Sequence, residues 1–291
     1  MKHIHEIINR LALPEEAVET FYSTYDAVQD SAYFRALSGM IADGLDFQTI
    51  QQKCSEYAQS LQINKYILGM TLLLANTHVM KKRFMEKGIA EDVFWESITD
   101  YEAKVDECHK MHGVWGIFAF GWYEGFFAAK LFRLGRLEYV ERSFKNGVRA
   151  LAIHIPSGSP LTHDAVLASY KRAYDFFHKT LGKDIAFTCS SYLLFPDYMG
   201  AVFAAGTNLY QFAGDYHILH VNETTEFSNA WRVFYKDYQG DVSVLPTNTS
   251  LQRAFVKHLA SGGKSGTALG AFFFNGERFD KAKAETLRPY L

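Results

Sequence analysis

Cysteine is scarce in this chain. Only Cys54, Cys108 and Cys189 occur in 291 residues. Three thiols, odd in number and far apart, exclude a disulfide framework and point to a reducing compartment. Long clean apolar runs are also missing. Tyr66 to Met80 is about 15 residues long, short of the roughly 20 a membrane span needs. Val114 to Leu134 is interrupted by Glu124, Lys130 and Arg133. Both stretches read instead as buried helices. Charge of one sign is not in excess: the formal net charge is −2, which gives neither nucleic acid nor an anionic membrane anything to bind. The first residues, MKHIHEIINRLALPEE, carry acidic groups early and no apolar core of signal-peptide length. The expected setting is the cytoplasm. Internal repeats and low-complexity segments are absent as well.

What is present is apolar and aromatic. A hydrophobic fraction of 48% excludes disorder, and 24 Phe with 17 Tyr suggest aromatic cores or pockets. Up to about Leu134 the period is helical. Pro14-Glu15-Glu16 opens a helix that continues through Val18, Phe21, Tyr22 and Tyr25. Further helices are predicted over Tyr33–Ala42, Asp46–Ser60, Asn64–Lys87 and Ala90–His112. Gly44, Gly88 and Gly113 stand where stops are expected. Trp115–Leu134 reads as one more helix, apolar on most sides and central. No strand is expected in this half.

The period then changes. Arg136–Phe144 alternates, and Val148–Ile155 is a strand. It breaks at Pro156 into Ser157-Gly158-Ser159-Pro160, and a helix follows over Asp164–Leu181. A strand feeding a small-residue turn at a helix start presents free backbone N–H groups to a phosphate. Beyond it the pattern predicts a strand over Ile185–Leu194, a helix over Asp197–Phe212 and a strand over Tyr216–Val221. Helices over Phe227–Tyr235 and Ser250–Ala260 and a closing strand over Ala268–Phe274 complete it. Strands alternating with helices make this half α/β or α+β around a sheet.

Familiar chemical signatures are few. His109 and His112, with Cys108 beside them, share a helix face, but no HExxH or paired CxxC accompanies them, so no metal is expected. Gly262-Gly263-Lys264-Ser265 lacks the first Gly of a P-loop, His258 standing in its place, and it follows a helix rather than a strand. Cys189, mid-strand, reads as a buried inert thiol. His154, on the strand before the turn, is either a general base or a core histidine.

Several segments together resemble a bacterial acyltransferase family. Its members join a helical N-terminal domain to a C-terminal domain similar to the GNAT acetyltransferase superfamily. The segments are His154-Ile155-Pro156 through Pro160-Leu161, the Ser169–Phe177 helix, the strand from Cys189 to Leu194, Asn208 with Phe212, and Ser250–Ala254 through His258-Leu259 to Gly262-Gly263. The helical half, ending at Phe120–Gly135, fits too. The resemblance implies an α+β chain: an all-helical N-terminal domain over residues 1–134, then a GNAT-like mixed β-sheet domain flanked by helices over residues 135–291. It implies an enzyme moving an acyl group from acetyl-CoA or another acyl-CoA to an amine or hydroxyl. Ser157, Gly158, Ser159 and Asn208 would hold the donor. His154 or Glu138 would accept the acceptor's proton, and Tyr192 would protonate the thiolate, with Tyr198 and Tyr210 as alternatives. The implied partner is a small-molecule or peptide acceptor, with no nucleic acid and no membrane, and a homodimer is compatible with it. The superfamily turn reads Gln/Arg-x-x-Gly-x-Gly/Ala. Aligned on Gly158, Ile155 and Pro160 stand at its outer positions, which motivates a second expectation: a catalytically silent binding protein on the same fold.

Overall fold

The computed structural model describes residues 2–224 and 226–291. The chain divides into two compact units, residues 1–133 and 134–291.

The first unit is built from helices α1 (Lys2–Ile8), α2 (Glu15–Val28), α3 (Ala32–Ala42), α4 (Phe47–Ser60), α5 (Lys65–Glu86), α6 (Glu91–Ile98), α7 (Asp100–His112) and α8 (Tyr123–Phe127). Polar side chains set the starts. The Ser31 hydroxyl accepts from the Tyr33 amide at 3.1 Å. Asp46 accepts from Gln48 and Thr49, and Asn64 accepts from Tyr66. Each satisfies an amide that the helix itself leaves without a partner. Gly113, at φ +70, ends α7 in the left-handed conformation that only glycine adopts at no cost. The central helix is α5, buried on most sides through Leu68, Met70, Leu72, Leu73, Leu74 and Met80.

Two expectations for this half are corrected. Trp115–Leu134 is not one helix: a 3-10 turn at Phe120–Trp122 and α8 are followed by strand β1 (Leu131–Leu134). The cause is backbone packing. A Cβ on Gly116 would lie 2.5 Å from the Tyr66 carbonyl carbon, and the Ile117 amide donates to the Tyr66 carbonyl at 3.0 Å. The glycine lets the segment run against the start of α5 instead of coiling. The helix expected over Ala90–His112 is broken at Thr99 into α6 and α7.

The second unit carries β2 (Leu137–Ser143), β3 (Arg149–His154), α9 (His163–Leu181), β4 (Ile185–Ser191), α10 (Asn208–Gly214), β5 (His217–Thr224), α11 (Ala230–Phe234), α12 (Ser250–Ala260), β6 (Ser265–Phe274) and β7 (Phe279–Asp280). A terminal 3-10 segment covers Ala282–Tyr290. The sheet order is β1-β2-β3-β4-β6-β5, with β7 on β6. All pairings from β2 onward are antiparallel except β3 with β4, which run parallel and are joined by α9. The sheet is therefore mixed, as expected for the α+β reading. α9 sits on the face that shows Tyr139, Phe187 and Phe272; Tyr170 of α9 meets both phenylalanine rings edge-on. α12 starts at a capping box between Thr249 and Gln252. The helix expected over Asp197–Phe212 is shorter. Gly200 at φ +79 and Gly206 at φ +84 turn the chain, and α10 begins only at Asn208. Among the described residues no helix is long and apolar enough to cross a membrane.

Candidate active site

The strand–turn–helix is formed by β3, residues 155–162 and α9. The parallel ladder between β3 and β4 ends at the pair Ile153–Cys189. Beyond it each strand keeps only its other neighbour: His154 stays opposite Glu138 on β2, while Ser190 and Ser191 stay opposite Leu269 and Ala268 on β6. The two parallel strands thus stop pairing just where the turn begins.

Within the turn, Gly158 has φ +113, a backbone state that disfavours any residue with a Cβ, and no atom lies within 4 Å of where that Cβ would be. Gly158 and Ser159 are exposed. The Ser157 hydroxyl oxygen is shielded and has no hydrogen-bond partner. Thr162 precedes α9, but its side chain does not cap the helix. The first-turn amides of a 19-residue helix are therefore left available to an anion.

One residue that the sequence reading missed fixes this turn. Arg136 is 8% exposed. Its Nε donates to the Ser159 carbonyl at 2.7 Å and a terminal nitrogen donates to the Pro156 carbonyl at 2.8 Å. The fork of one guanidinium grips both ends of the turn. Its carbonyls are drawn toward the arginine. Arg136 adjoins Gly135 in the turn between β1 and β2, and an arginine between two apolar strand runs was the available signal.

Glu138 and His154 face each other across the antiparallel ladder, so their side chains lie on one face of the sheet. It is the face away from α9, because the intervening Tyr139 bonds α9 through Ser169. Glu138 is buried at 1% exposure and His154 is half-buried. Tyr192 begins a 3-10 turn directly after β4. It packs edge-on to Phe227 and tilted against Phe255. Burial pushes its hydroxyl up to about 12, so it carries its proton at neutral pH. Asn208 is exposed at the start of α10, where Thr207 rather than Asn208 provides the cap. Among the described residues no hydrogen bond joins it to the turn.

Other polar groups line the α9 face. Ser169 is buried. Its hydroxyl donates to the Leu134 carbonyl at 2.6 Å and accepts from the Leu137 amide at 3.1 Å, so Tyr139 at 2.8 Å is the donor. The Tyr170 and Tyr216 hydroxyls are 3.0 Å apart. Asp215, half-buried, is raised to about 6 by burial, opposed by nearby His163 and Lys281. Cys189 is buried and pushed up to about 12, a thiol that stays protonated. His109 stacks on Trp115 at 3.6 Å and His112 on Tyr66 at 4.7 Å. Among the described residues no group of three or more His, Cys, Asp or Glu is placed to hold a metal.

A helical unit followed by a mixed sheet, whose one parallel pair from β2 onward parts where the turn before α9 begins, defines a GNAT-like two-domain protein. Residues 131–272 match the GNAT-like C-terminal domain, and residues 2–129 match the N-acyltransferase N-terminal domain. Together the two matches give the domain order that the sequence resemblance implies, a helical N-terminal domain followed by a GNAT-like C-terminal domain. Solved structures share this fold. One is an acyltransferase in complex with decanoyl-CoA and teicoplanin: 23% identity, TM-score 0.74, covering 93% of this chain and 87% of that one. A mutant acyltransferase in complex with octanoyl-CoA matches at 22% identity and TM-score 0.73, covering 93% and 87%. No curated protein matches the chain in sequence.

Proposed function

We propose that this protein transfers an acyl group from acyl-CoA to an amine or hydroxyl of a small-molecule or peptide acceptor. The carrying observation is the turn between β3 and α9, gripped by Arg136 and opening where the parallel strands stop pairing. The residues present fit the donor. The Ser157 hydroxyl is available to an oxygen of the pyrophosphate, Gly158 leaves room for it, and the uncapped start of α9 favours its negative charge. Acyl-CoA supplies an activated thioester. Similar structures bind decanoyl- and octanoyl-CoA, which supports a medium-chain donor here. One of them also holds teicoplanin, which supports an acceptor of glycopeptide type among the candidates.

Each residue then has a proton task. His154 takes the proton of the attacking amine or hydroxyl. Glu138, opposite it, favours the imidazolium that forms, because an adjacent carboxylate stabilises the charged ring. Tyr192, protonated at neutral pH, donates to the departing sulfur. Asn208 would contact the donor only through the exposed start of α10.

Thiol release from acetyl-, octanoyl- and decanoyl-CoA, with and without amine acceptors, tests the reading. The expected result is acceptor-dependent release that falls about 10²- to 10⁴-fold in His154→Ala with donor affinity retained. Saturable donor binding without turnover by any acceptor would instead establish the silent binding protein.

A further inference from the structure

Positive charge is distributed unevenly along the second unit. Between Arg149 and Lys171 the chain has neither lysine nor arginine, and between Lys183 and Arg232 it again has none. The first stretch is the body of β3, the turn and the start of α9; the second holds β4, α10 and β5. These include the elements that meet where the parallel strands stop pairing. From Ile155 to Asp164 the ionisable groups are His163 and Asp164 alone, both exposed in the first turn of α9. Asp215, at the end of α10, sets a half-buried carboxylate beside His163 and Lys281.

The cations of this unit that stand closest in the fold are engaged elsewhere or set back from the turn. Arg136 is buried, and its fork is engaged by the Pro156 and Ser159 carbonyls. Arg149 stands at the far end of β3, where it meets Glu141 and the Thr180 carbonyl. Lys281 donates to the Gly214 carbonyl at 2.8 Å, and Lys264 pairs with Glu223 at 2.8 Å. Arg232 lies over the Trp231 ring on α11. Lys171 and Arg172 come two turns into α9, about 12 Å along it from His163.

Given the acyl-transfer function proposed above, on which this rests, we infer that the donor site reads the donor as far as its pyrophosphate and does not read the 3′-phosphate of CoA, so that acyl-dephospho-CoA serves as donor as well as acyl-CoA. A pyrophosphate is held by backbone amides and a helix start without any cation. The 3′-phosphate hangs one ribose ring away from it, and the field of a helix terminus falls off within the first turn. Gripping that second group takes a lysine or an arginine, the side chains whose charge and donors match a phosphate. The first turn of α9 offers Asp164 instead, which repels it. Left in water, the 3′-phosphate adds nothing to donor affinity.

Calorimetry on the full chain with decanoyl-CoA and decanoyl-dephospho-CoA, which differ only in that phosphate, is the test. The two Kd values should agree within about threefold, whereas a charge-assisted bond to the 3′-phosphate would separate them by about tenfold or more. Gly158→Ala should weaken both donors by the same factor, because the turn meets the part they share. The double variant His163→Ala with Lys171→Ala should leave the ratio of the two Kd values unchanged. Decanoyl-dephospho-CoA binding more than about threefold weaker than decanoyl-CoA overturns the inference and leaves the acyl-transfer reading standing. Saturable binding of neither donor overturns both.

Discussion

Replacing Arg136 with methionine keeps the length of the buried stem and removes the fork. Two charge-assisted hydrogen bonds disappear, to the carbonyls of Pro156 and Ser159. Each such bond contributes about 1.5–3 kcal/mol, so the folded protein should lose roughly 3 kcal/mol or more of stability. The effect on donor binding is separable. Ser157, Gly158 and Ser159 would no longer be held between the two anchored carbonyls, and the donor would have to order them on binding. Ordering costs about 1–2 kcal/mol per residue. Three residues give roughly 3 kcal/mol, which is about a hundredfold in Kd. Arg136→Lys offers one donor in place of a fork and should fall between. Calorimetry with decanoyl-CoA, alongside urea unfolding, reads both quantities. A folded Arg136→Met protein that binds the donor within threefold of wild type would refute the reasoning, because the turn would then be preorganised without its clamp.

Further outcomes follow from buried polar groups. Ser169→Ala strands the Leu137 amide and the Tyr139 hydroxyl and should cost about 2–4 kcal/mol in denaturant unfolding, whereas Tyr139→Phe, which leaves Ser169 its other two bonds, should cost about 1 kcal/mol. Asp215 is raised to about 6 against the usual 3.8. The folded state therefore binds the extra proton, and stability falls as pH rises from about 4 through 6 and is then level. Asp215→Asn should raise stability at pH 7 by about 1 kcal/mol, after discounting for solvent at this half-buried site, and by nothing at pH 4. Gly158→Ala, at φ +113 with open space around it, should stay folded at a cost of about 1–2 kcal/mol and weaken donor binding. Cys54 and Cys189, buried and pushed up to about 12, should resist iodoacetamide at pH 8 in the native protein and react once it is unfolded, as mass spectrometry will show.

Local physics makes some of this protein readable in its sequence. α12 runs over Ser250–Ala260 as the pattern predicts, because Thr249 and Gln252 form a capping box that is itself a sequence signal. The strand–turn–helix around Ser157–Ser159 is legible for the same reason: proline, glycine and a helical period are local facts. Trp115–Leu134 is misread because its apolar content is that of a buried helix, while Gly116 serves a backbone contact with Tyr66, about fifty positions earlier in the chain. Only the sheet register sets Glu138 opposite His154, and only the folded turn shows that Arg136 holds it. Period and capping act within a few residues and are written in the chain. Which carboxylate meets which histidine, and which carbonyl an arginine grips, depends on strands brought together across long loops, and tertiary structure alone decides it.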